Sequence, residues 1–250
     1  MRNTFFLFIL SVALCSAQHR QTHSAKAIHS ASTNESDALN DLKFETREVS
    51  FTSRKLKKTF SSTYVWCTSK GKFAQAFNDS ARIRVLKTFE IDNLKLSIAD
   101  AIKELKKAEK RKLTAKERES LPDMEIYLSS TDSISYRSNK IISLRTYYEG
   151  IFGMRAYDYT NFKPNGTSYT NKELIKNHKK LEALVDKKLK ARKDLETNPK
   201  EKYELSTTIG FEGKDLVVRY KPYEINSNIF DEVEVKIPIK EVKNMMIDIQ

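Results

Sequence analysis

Residues 215–246 read DLVVRYKPYEINSNIFDEVEVKIPIKEVKNMM, and this stretch decides the fold. A short apolar run at residues 216–218 precedes a polar bend, and a second run follows at residues 233–239. In the second run, apolar residues alternate with Glu234, Lys236 and Pro238. Alternation with a period of two is typical of a strand that has one buried and one solvated face. The stretch therefore predicts two strands joined by a polar bend.

Similar patterns predict the other elements of the chain. Strands are predicted at residues 43–51, 57–68, 140–148, 154–162 and 203–211, with shorter alternating runs at residues 124–128 and 134–136, and helices at residues 72–87 and 171–195. The last helix has an apolar stripe at helical spacing, formed by Leu174, Leu181, Leu184, Val185 and Leu189. Ser97, followed by Asp100 three residues later, predicts the start of another helix. This order indicates an α+β protein with antiparallel sheets, helices packed on one face, and one lobe or two.

Residues 1–17 have the composition of a secretory signal peptide. Arg2 provides the positive end, an apolar run of about ten residues follows, and small residues precede Gln18. The run is too short to cross a bilayer, which takes about 20 residues, and no later segment is apolar enough to do so. We therefore expect export to the periplasm or the extracellular space. A lipoprotein signal ending at Cys15 fits poorly, because Leu14 stands where a small residue is usual.

The remaining chain divides into three regions by composition. Residues 18–40 are rich in Ser, His, Thr and Asn without a periodic apolar face, which predicts a disordered leader. Residues 41–122 are expected to form an N-terminal α+β lobe. Residues 123–250 are expected to form a second α+β domain that contains the opening stretch.

The net charge of +12, from 45 Lys and Arg against 33 Asp and Glu, favours anionic partners. The charge would suit nucleic-acid binding, but the predicted export argues against that function and no nucleic-acid-binding motif occurs. The densest basic cluster comprises Lys103, Lys106, Lys107, Lys110, Arg111 and Lys112. It is either a solvated helix face interleaved with Glu104 and Glu109, or a contact surface for wall polymer, lipid headgroups or polysaccharide.

The sequence offers little for catalysis. Cys67 is the only thiol left after signal removal, so an intramolecular disulfide is impossible, and we expect it to be a small core residue. His178 is the only histidine outside the leader and stands among lysines. None of the common nucleophile, zinc or phosphate-loop motifs occurs. We predict no catalytic residues, no cofactor and no metal site.

The order of elements between residues 125 and 246 resembles a family of extracytoplasmic domains. The features that match are Ile142-Ser143-Leu144, the turn from Gly150 to Gly153, Asn161-Phe162, the bend Pro222-Tyr223-Glu224-Ile225 and the strand Val235-Lys236-Ile237-Pro238. They resemble the C-terminal domain of the lysozyme-sensing anti-sigma factor RsiV and the accessory N-terminal domain of the peptidoglycan deacetylase PdaC. The resemblance implies an α+β fold without a catalytic mechanism, because the deacetylase chemistry belongs to a separate domain.

The chain departs from this family at the glycine turn. Members commonly have Gly-Gly-Ala-His there, whereas this chain has Glu149-Gly150-Ile151-Phe152-Gly153, so no role of that histidine carries over. The charge also argues against lysozyme as the ligand. Typical lysozymes are basic and would be repelled unless the partner carried a local acidic patch.

Two groups of residues are candidates for ligand binding. Tyr220, Tyr223 and Glu224 cluster on the bend, where they contact a ligand or merely fix the loop through a tyrosine hydroxyl and a capping carboxylate. Tyr147, Tyr148 and Phe152 lie at or before the glycine turn. Tyrosines on a sheet face can stack on sugar rings, and half-buried packing explains them as well.

These observations predict an exported, non-catalytic binding domain of the cell envelope, whose ligand is a protein or an anionic or glycan wall component. One alternative is an envelope enzyme acting on peptidoglycan or polysaccharide through Glu224 and Tyr223. Another is an adhesion protein that binds anionic polymer electrostatically.

Overall fold

The computed structural model describes residues 39–119, 121–195, 197–229 and 231–249, except for the side chains of residues 116, 117 and 152. The predicted signal peptide and residues 18–38 of the predicted leader lie outside these ranges. The last two leader residues, Leu39 and Asn40, belong to a 3-10 helix, Leu39–Asp41. Leu39 is buried, and its carbonyl oxygen accepts a hydrogen bond from Arg137 Nε. The predicted leader therefore overlaps the packed structure by these two residues.

Five strands form the larger sheet, in the order β1 (Phe44–Ser53), β2 (Lys58–Cys67), β3 (Ile126–Arg137), β4 (Ile142–Glu149) and β5 (Arg155–Phe162). Neighbouring strands are antiparallel except β2 and β3, which run parallel. A parallel pair needs a long crossover connection. The chain supplies it with the helices α1 (Lys72–Thr88), α2 (Ile98–Lys110) and α3 (Ala115–Glu119). The sheet is therefore mixed where the sequence predicts antiparallel pairing, and it joins strands from both sides of residue 122.

The stretch that opens the sequence analysis forms two strands of a smaller, antiparallel sheet. Its strands are β6 (Thr208–Glu212), β7 (Asp215–Tyr220) and β8 (Val233–Pro238), with β7 in the centre. A short helix, α6 (Ile239–Val242), follows β8 directly. Val218 of β7 and Val235 of β8 are opposite each other and buried in one core cluster. The short apolar run predicted β7 correctly, and the strict alternation predicted β8.

The helix predicted at residues 171–195 is broken into two. A capping box at Thr170 precedes α4 (Asn171–Leu174), and Asn177 is the N-cap of α5 (His178–Lys190). Between them, Ile175 forms a β-bridge with Met246, and the amides of Lys176 and Asn177 donate to the carbonyl oxygen of Met245. A helix running through residues 175–177 would lose these bonds to the C-terminal segment.

The two sheets and their helices form layers. Phe77 of α1 packs on Phe162 of β5, with ring centroids 4.7 Å apart, so α1 covers one face of the larger sheet. The smaller sheet covers the other face at β4 and β5, where Asn161 Nδ2 donates to the carbonyl oxygen of Ile209 at 2.8 Å. The apolar stripe of α5 packs against the outer face of the smaller sheet. The predicted α+β class is confirmed.

Cys67 is buried in the core formed by α1 and the larger sheet. Burial raises the pKa of its thiol above the ordinary value. The Asn78 side chain holds the strand here, because its Oδ1 accepts from the Cys67 amide at 2.8 Å and its Nδ2 donates to the Cys67 carbonyl at 2.9 Å. The prediction of a small core residue is confirmed.

Candidate functional site

Rows of hydroxyl groups cover the face of the larger sheet that points away from α1, where β1, β2 and β3 meet. The strand register places Ser61 opposite both Ser50 and Ser129. Residues opposite one another in neighbouring strands point to the same face of a sheet, so their hydroxyls form rows. We call these side chains the hydroxyl face: Ser50, Thr52, Thr59, Ser61, Thr63, Ser129 and Thr131.

Burial separates the two faces of these strands. Phe60, Ser62 and Ser130, which alternate with the hydroxyl face, point toward α1 and are at most 3% exposed. The side chains of the hydroxyl face are exposed or half-buried. The smaller sheet packs over β4 and β5, and within the described ranges the hydroxyl face is open to solvent.

Tyrosines border the hydroxyl face. Tyr127 of β3 is opposite Thr59 and is 59% exposed, which is unusual for so large a ring. Tyr147 of β4 is opposite Thr131 and half-buried. Tyr147 was predicted as a ligand-binding residue and lies at this border, whereas Tyr127 was not predicted.

Tyr147 is supported from behind by Tyr157 of β5, whose ring centroid is 5.0 Å from that of Tyr147. The guanidinium of Arg219 lies 4.2 Å from the centre of the Tyr157 ring, a cation–π distance. The Tyr157 amide also donates to Glu232 Oε1 at 2.8 Å. Arg219 and Glu232 therefore fix Tyr157, whose ring packs against that of Tyr147.

Arg219 is held in turn by a network of carboxylates and one tyrosine. It forms ion pairs with Glu234, with Glu232 at 3.6 Å and with Glu212 at 3.8 Å. The Tyr159 hydroxyl accepts from Arg219 Nε at 3.1 Å and donates to Glu212 Oε1 at 2.6 Å. Burial alone would raise the pKa of Glu212, but the hydrogen bond from Tyr159 and nearby cations outweigh it and lower that pKa. Burial raises the pKa of Glu232.

Of the other two candidates near the glycine turn, Tyr148 does not reach the hydroxyl face. Tyr148 lies on the opposite face of β4, because successive residues of a strand alternate in direction. Burial there raises the pKa of Tyr148 to about 12. Phe152 lies in a 3-10 helix, Ile151–Gly153, and its side chain is outside the described part of the structure.

The bend separates its three candidates. Tyr220 is buried, and its hydroxyl donates to the carbonyl oxygen of Glu204 at 2.9 Å. Glu224 Oε2 accepts from the Lys221 amide at 2.7 Å. Tyr223 is 59% exposed and has a left-handed backbone with φ of 66°. The structural roles considered for the tyrosine hydroxyl and the carboxylate are thus both present, and ligand binding at the bend stays a prediction.

The predicted basic cluster lies on α2 and just after it, with all six side chains exposed. Lys103 forms an ion pair with Asp100 at 2.8 Å. Glu109, expected between the lysines, is instead held by the end of β1 and the turn after it: its carboxylate accepts from Ser53 Oγ and from the Lys55 amide at 3.1 Å. Contact of this cluster with an anionic surface stays a prediction.

Other kinds of site find little support in the described ranges. No three His, Cys, Asp or Glu side chains there are arranged to hold a metal ion, and no helix there is long and apolar enough to span a membrane. His178 is the first residue of α5 and is exposed.

No family model matches the chain, and no curated protein matches it in sequence. Solved structures do. A crystal structure of a DUF3298 family member from Bacteroides fragilis NCTC 9343 matches with a TM-score of 0.60 and 14% identity, over 84% of this chain and 95% of that chain. A DUF3298 family protein from Pseudomonas aeruginosa PAO1 matches with a TM-score of 0.60 and 10% identity, over 84% of this chain and 97% of that chain. The fold is that of the DUF3298 proteins.

The DUF3298 fold, a domain of unknown function, accounts for nearly the whole length of both matched chains. At these identities the likeness extends to the fold alone. The hydroxyl face described above is drawn from this chain's residues and is not inferred from those structures. The sequence does contain the pattern, with Ser or Thr at every second position of residues 59–63 and 129–131. The face could not be predicted from it, because the sequence does not show which strands are neighbours.

Proposed function

We propose that this protein is an exported, non-catalytic binding domain of the cell envelope, and that it holds a glycan on the hydroxyl face. The observation that carries the proposal is the juxtaposition of Tyr127 and Tyr147 with an open array of hydroxyl groups on one sheet. Sugars present hydroxyls at their edges and apolar C–H groups on their ring faces. They suit a surface that offers both hydrogen bonds and aromatic rings.

The dimensions of the surface also favour a chain of sugars. Strands are about 4.8 Å apart and rise about 3.3 Å per residue, so the hydroxyls of β1, β2 and β3 cover an area of about 10 by 13 Å. Ser and Thr hydroxyls both donate and accept, and they rotate to suit the partner. This area is large enough for a short oligosaccharide with Tyr127 near one border and Tyr147 near another.

Rigidity of the tyrosine platform supports binding. Tyr147 rests on Tyr157, which is fixed by Arg219 at 4.2 Å and by Glu232 at 2.8 Å. A ring that is already ordered loses little conformational entropy when a ligand binds. The charged network of the smaller sheet therefore acts as a support for the glycan surface.

The envelope location rests on sequence. Residues 1–17 have signal-peptide composition, and residues 125–246 resemble the extracytoplasmic domains of RsiV and PdaC. Glycans of the cell wall are the sugars that such a domain meets. Within the DUF3298 fold, we therefore propose a closer relationship to the RsiV and PdaC domains.

Tyr127→Ala tests the proposal, with Tyr223→Ala as a matched control. The two rings are equally exposed, at 59%, but Tyr223 lies on the bend and Tyr127 at the hydroxyl face. We expect Tyr127→Ala to weaken binding to peptidoglycan sacculi and to a soluble N-acetylglucosamine tetrasaccharide about tenfold, a loss of about 1.4 kcal/mol. Tyr223→Ala should bind like the unaltered protein. Calorimetry and sedimentation with sacculi measure both.

The opposite pattern, with affinity lost only in Tyr223→Ala, would move the ligand to the bend and contradict the hydroxyl-face proposal. Release of new reducing ends or acetate from the sacculi by the purified protein would replace a binding function with an enzymatic one. Thermal unfolding of both variants controls for damage to the fold.

A further inference from the structure

The basic residues of α2 form a single line on the surface of the protein. A helix turns by about 100° per residue, so Lys103, Lys106, Lys107 and Lys110 fall within an arc of about 100°. All four are exposed. The opposite side of α2 is buried, with Ala101 only 1% exposed. We call these four lysines the basic stripe.

The basic stripe is poorly neutralised. Lys103 is paired with Asp100, but in the described part of the chain no carboxylate lies within ion-pair distance of Lys106, Lys107 or Lys110. Glu109, which the sequence places among them, turns away to Ser53 and Lys55. Three adjacent cations are therefore left to solvent and counter-ions.

The hairpin between β1 and β2 extends this positive region. Lys55 Nζ donates to the carbonyl oxygens of Glu109 and Arg111 at the C-terminal end of α2, where a cation is favoured by the helix dipole. This contact places the Lys55 ammonium at the residue before Lys112, and Arg54, next to Lys55 in the chain, is exposed. The positive region thus continues past the end of α2.

We propose that the basic stripe binds a linear, phosphate-bearing polymer. Its lysines span about 10 Å along the axis of α2, at 1.5 Å per residue, which suits a narrow chain of repeating anions. Opposite charge supplies attraction and steering. An inserted membrane helix would use its apolar side, but Ile98, Ile102 and Leu105 of α2 are packed against the core of the protein.

This surface is separate from the one proposed to hold a glycan. The apolar side of α2 packs with Phe60 and Phe89, on the α1 side of the larger sheet. The hydroxyl face lies on the other side. The protein would therefore carry two independent binding surfaces, one for neutral sugars and one for phosphate.

A charge-matched pair of variants tests the inference. In one, Lys106, Lys107 and Lys110 are replaced by Gln; in the other, Lys179, Lys180 and Lys187 of α5, which are also exposed, are replaced by Gln. Both lower the net charge by the same amount. The probe is fluorescent inorganic polyphosphate, followed by anisotropy over a series of salt concentrations.

We expect the α2 variant to lose at least tenfold in affinity at low salt, and its slope of log K against log salt to fall by about 2, as for three lost phosphate contacts to a single-stranded polyanion. The α5 variant should stay within about twofold of the unaltered protein. Binding of the tetrasaccharide should be unchanged in both, which separates this result from the glycan test.

Equal losses in the two variants would assign binding to net charge alone and overturn the inference, as would no loss in the α2 variant. Tighter binding to phosphatidylglycerol vesicles than to polyphosphate, lost in the α2 variant, would make a membrane the occupant and also overturn it.

Discussion

Gly210 is a residue that lets the two sheets pack together. A Cβ atom at this position would lie 2.0 Å from Cδ1 and 2.2 Å from Cγ of Tyr159. The Tyr159 hydroxyl in turn supports Arg219. The absence of a side chain at Gly210 therefore leaves the space that the Tyr159 ring occupies.

Gly210→Ala is expected to lower the free energy of unfolding by about 2 kcal/mol or more, because the clash must be relieved by moving Tyr159 or the strand. Urea denaturation measures the loss. Gly150→Ala is the control: its nearest neighbour would be the Met154 carbonyl at 3.8 Å, so a change within about 0.5 kcal/mol is expected. If the two substitutions cost the same, the contact with Tyr159 is not what requires glycine.

Asp132 belongs to a buried polar group on the other side of the larger sheet. It accepts from Arg84 Nη2 and from the Thr146 hydroxyl, both at 2.8 Å. The two charged side chains are 10% and 3% exposed, for Arg84 and Asp132 respectively. Removing one partner of such a pair leaves the other charge buried without compensation.

Asp132→Ala should therefore destabilise the protein by about 3–5 kcal/mol in chemical denaturation. Glu45→Ala breaks an ion pair of 2.6 Å with Arg47, but there both side chains are more than 40% exposed. Its expected cost is at most about 1 kcal/mol. A small effect of Asp132→Ala, comparable to that of Glu45→Ala, would mean that water or another group compensates Arg84.

At the level of elements, periodicity predicted most helices and strands, because an element with one buried face has apolar residues at a regular spacing along the sequence. The strand pattern of residues 215–220 and 233–238 and the Ser97 cap of α2 are examples. The break between α4 and α5 could not be predicted in this way. It arises from Met245 and Met246, which contact residues 175–177 from about 70 positions further along the chain.

The start of α4 also provides a prediction for pH. Glu173 accepts from Lys163 Nζ at 2.6 Å and from the Thr170 amide at 2.8 Å, and these bonds lower its pKa to about 2. In the unfolded chain a glutamate titrates near 4.3. Because the folded pKa is the lower one, the carboxylate's stabilisation is complete above about pH 5 and is lost as the pH falls toward 2.

The stability of the unaltered protein minus that of Glu173→Gln should therefore be smallest near pH 2, rise with pH, and reach a plateau above about pH 5. Urea denaturation at several pH values gives this difference. Lys163→Met should raise the pKa of Glu173 in the folded state, since Lys163 is the strongest cause of the lowered pKa. The pH range over which this stability difference changes should then begin at a higher pH. A difference that does not vary between pH 2 and 5 would contradict this assignment.

For the whole molecule, the candidate site was much less predictable than the fold. Tyr147 was found from sequence because it stands in a strong strand pattern. Tyr127 and the hydroxyl rows depend on the parallel pairing of β2 with β3, which no local pattern reports. The contacts that support Tyr157 were equally unpredictable, because Arg219 comes from the other sheet and Glu232 from the residue before β8, both more than 60 residues away.

The parallel pairing of β2 and β3 has a consequence for the order of assembly during translation. Lys58 is paired with Ile126, so the β1–β2 hairpin leaves the ribosome long before its neighbour is made. Closing such distant contacts is slow compared with forming a hairpin or a helix. Until residue 126 emerges, one edge of β2 in the nascent chain is unpaired. The α1 and α2 segments can then pack only against β1 and β2 of the five strands.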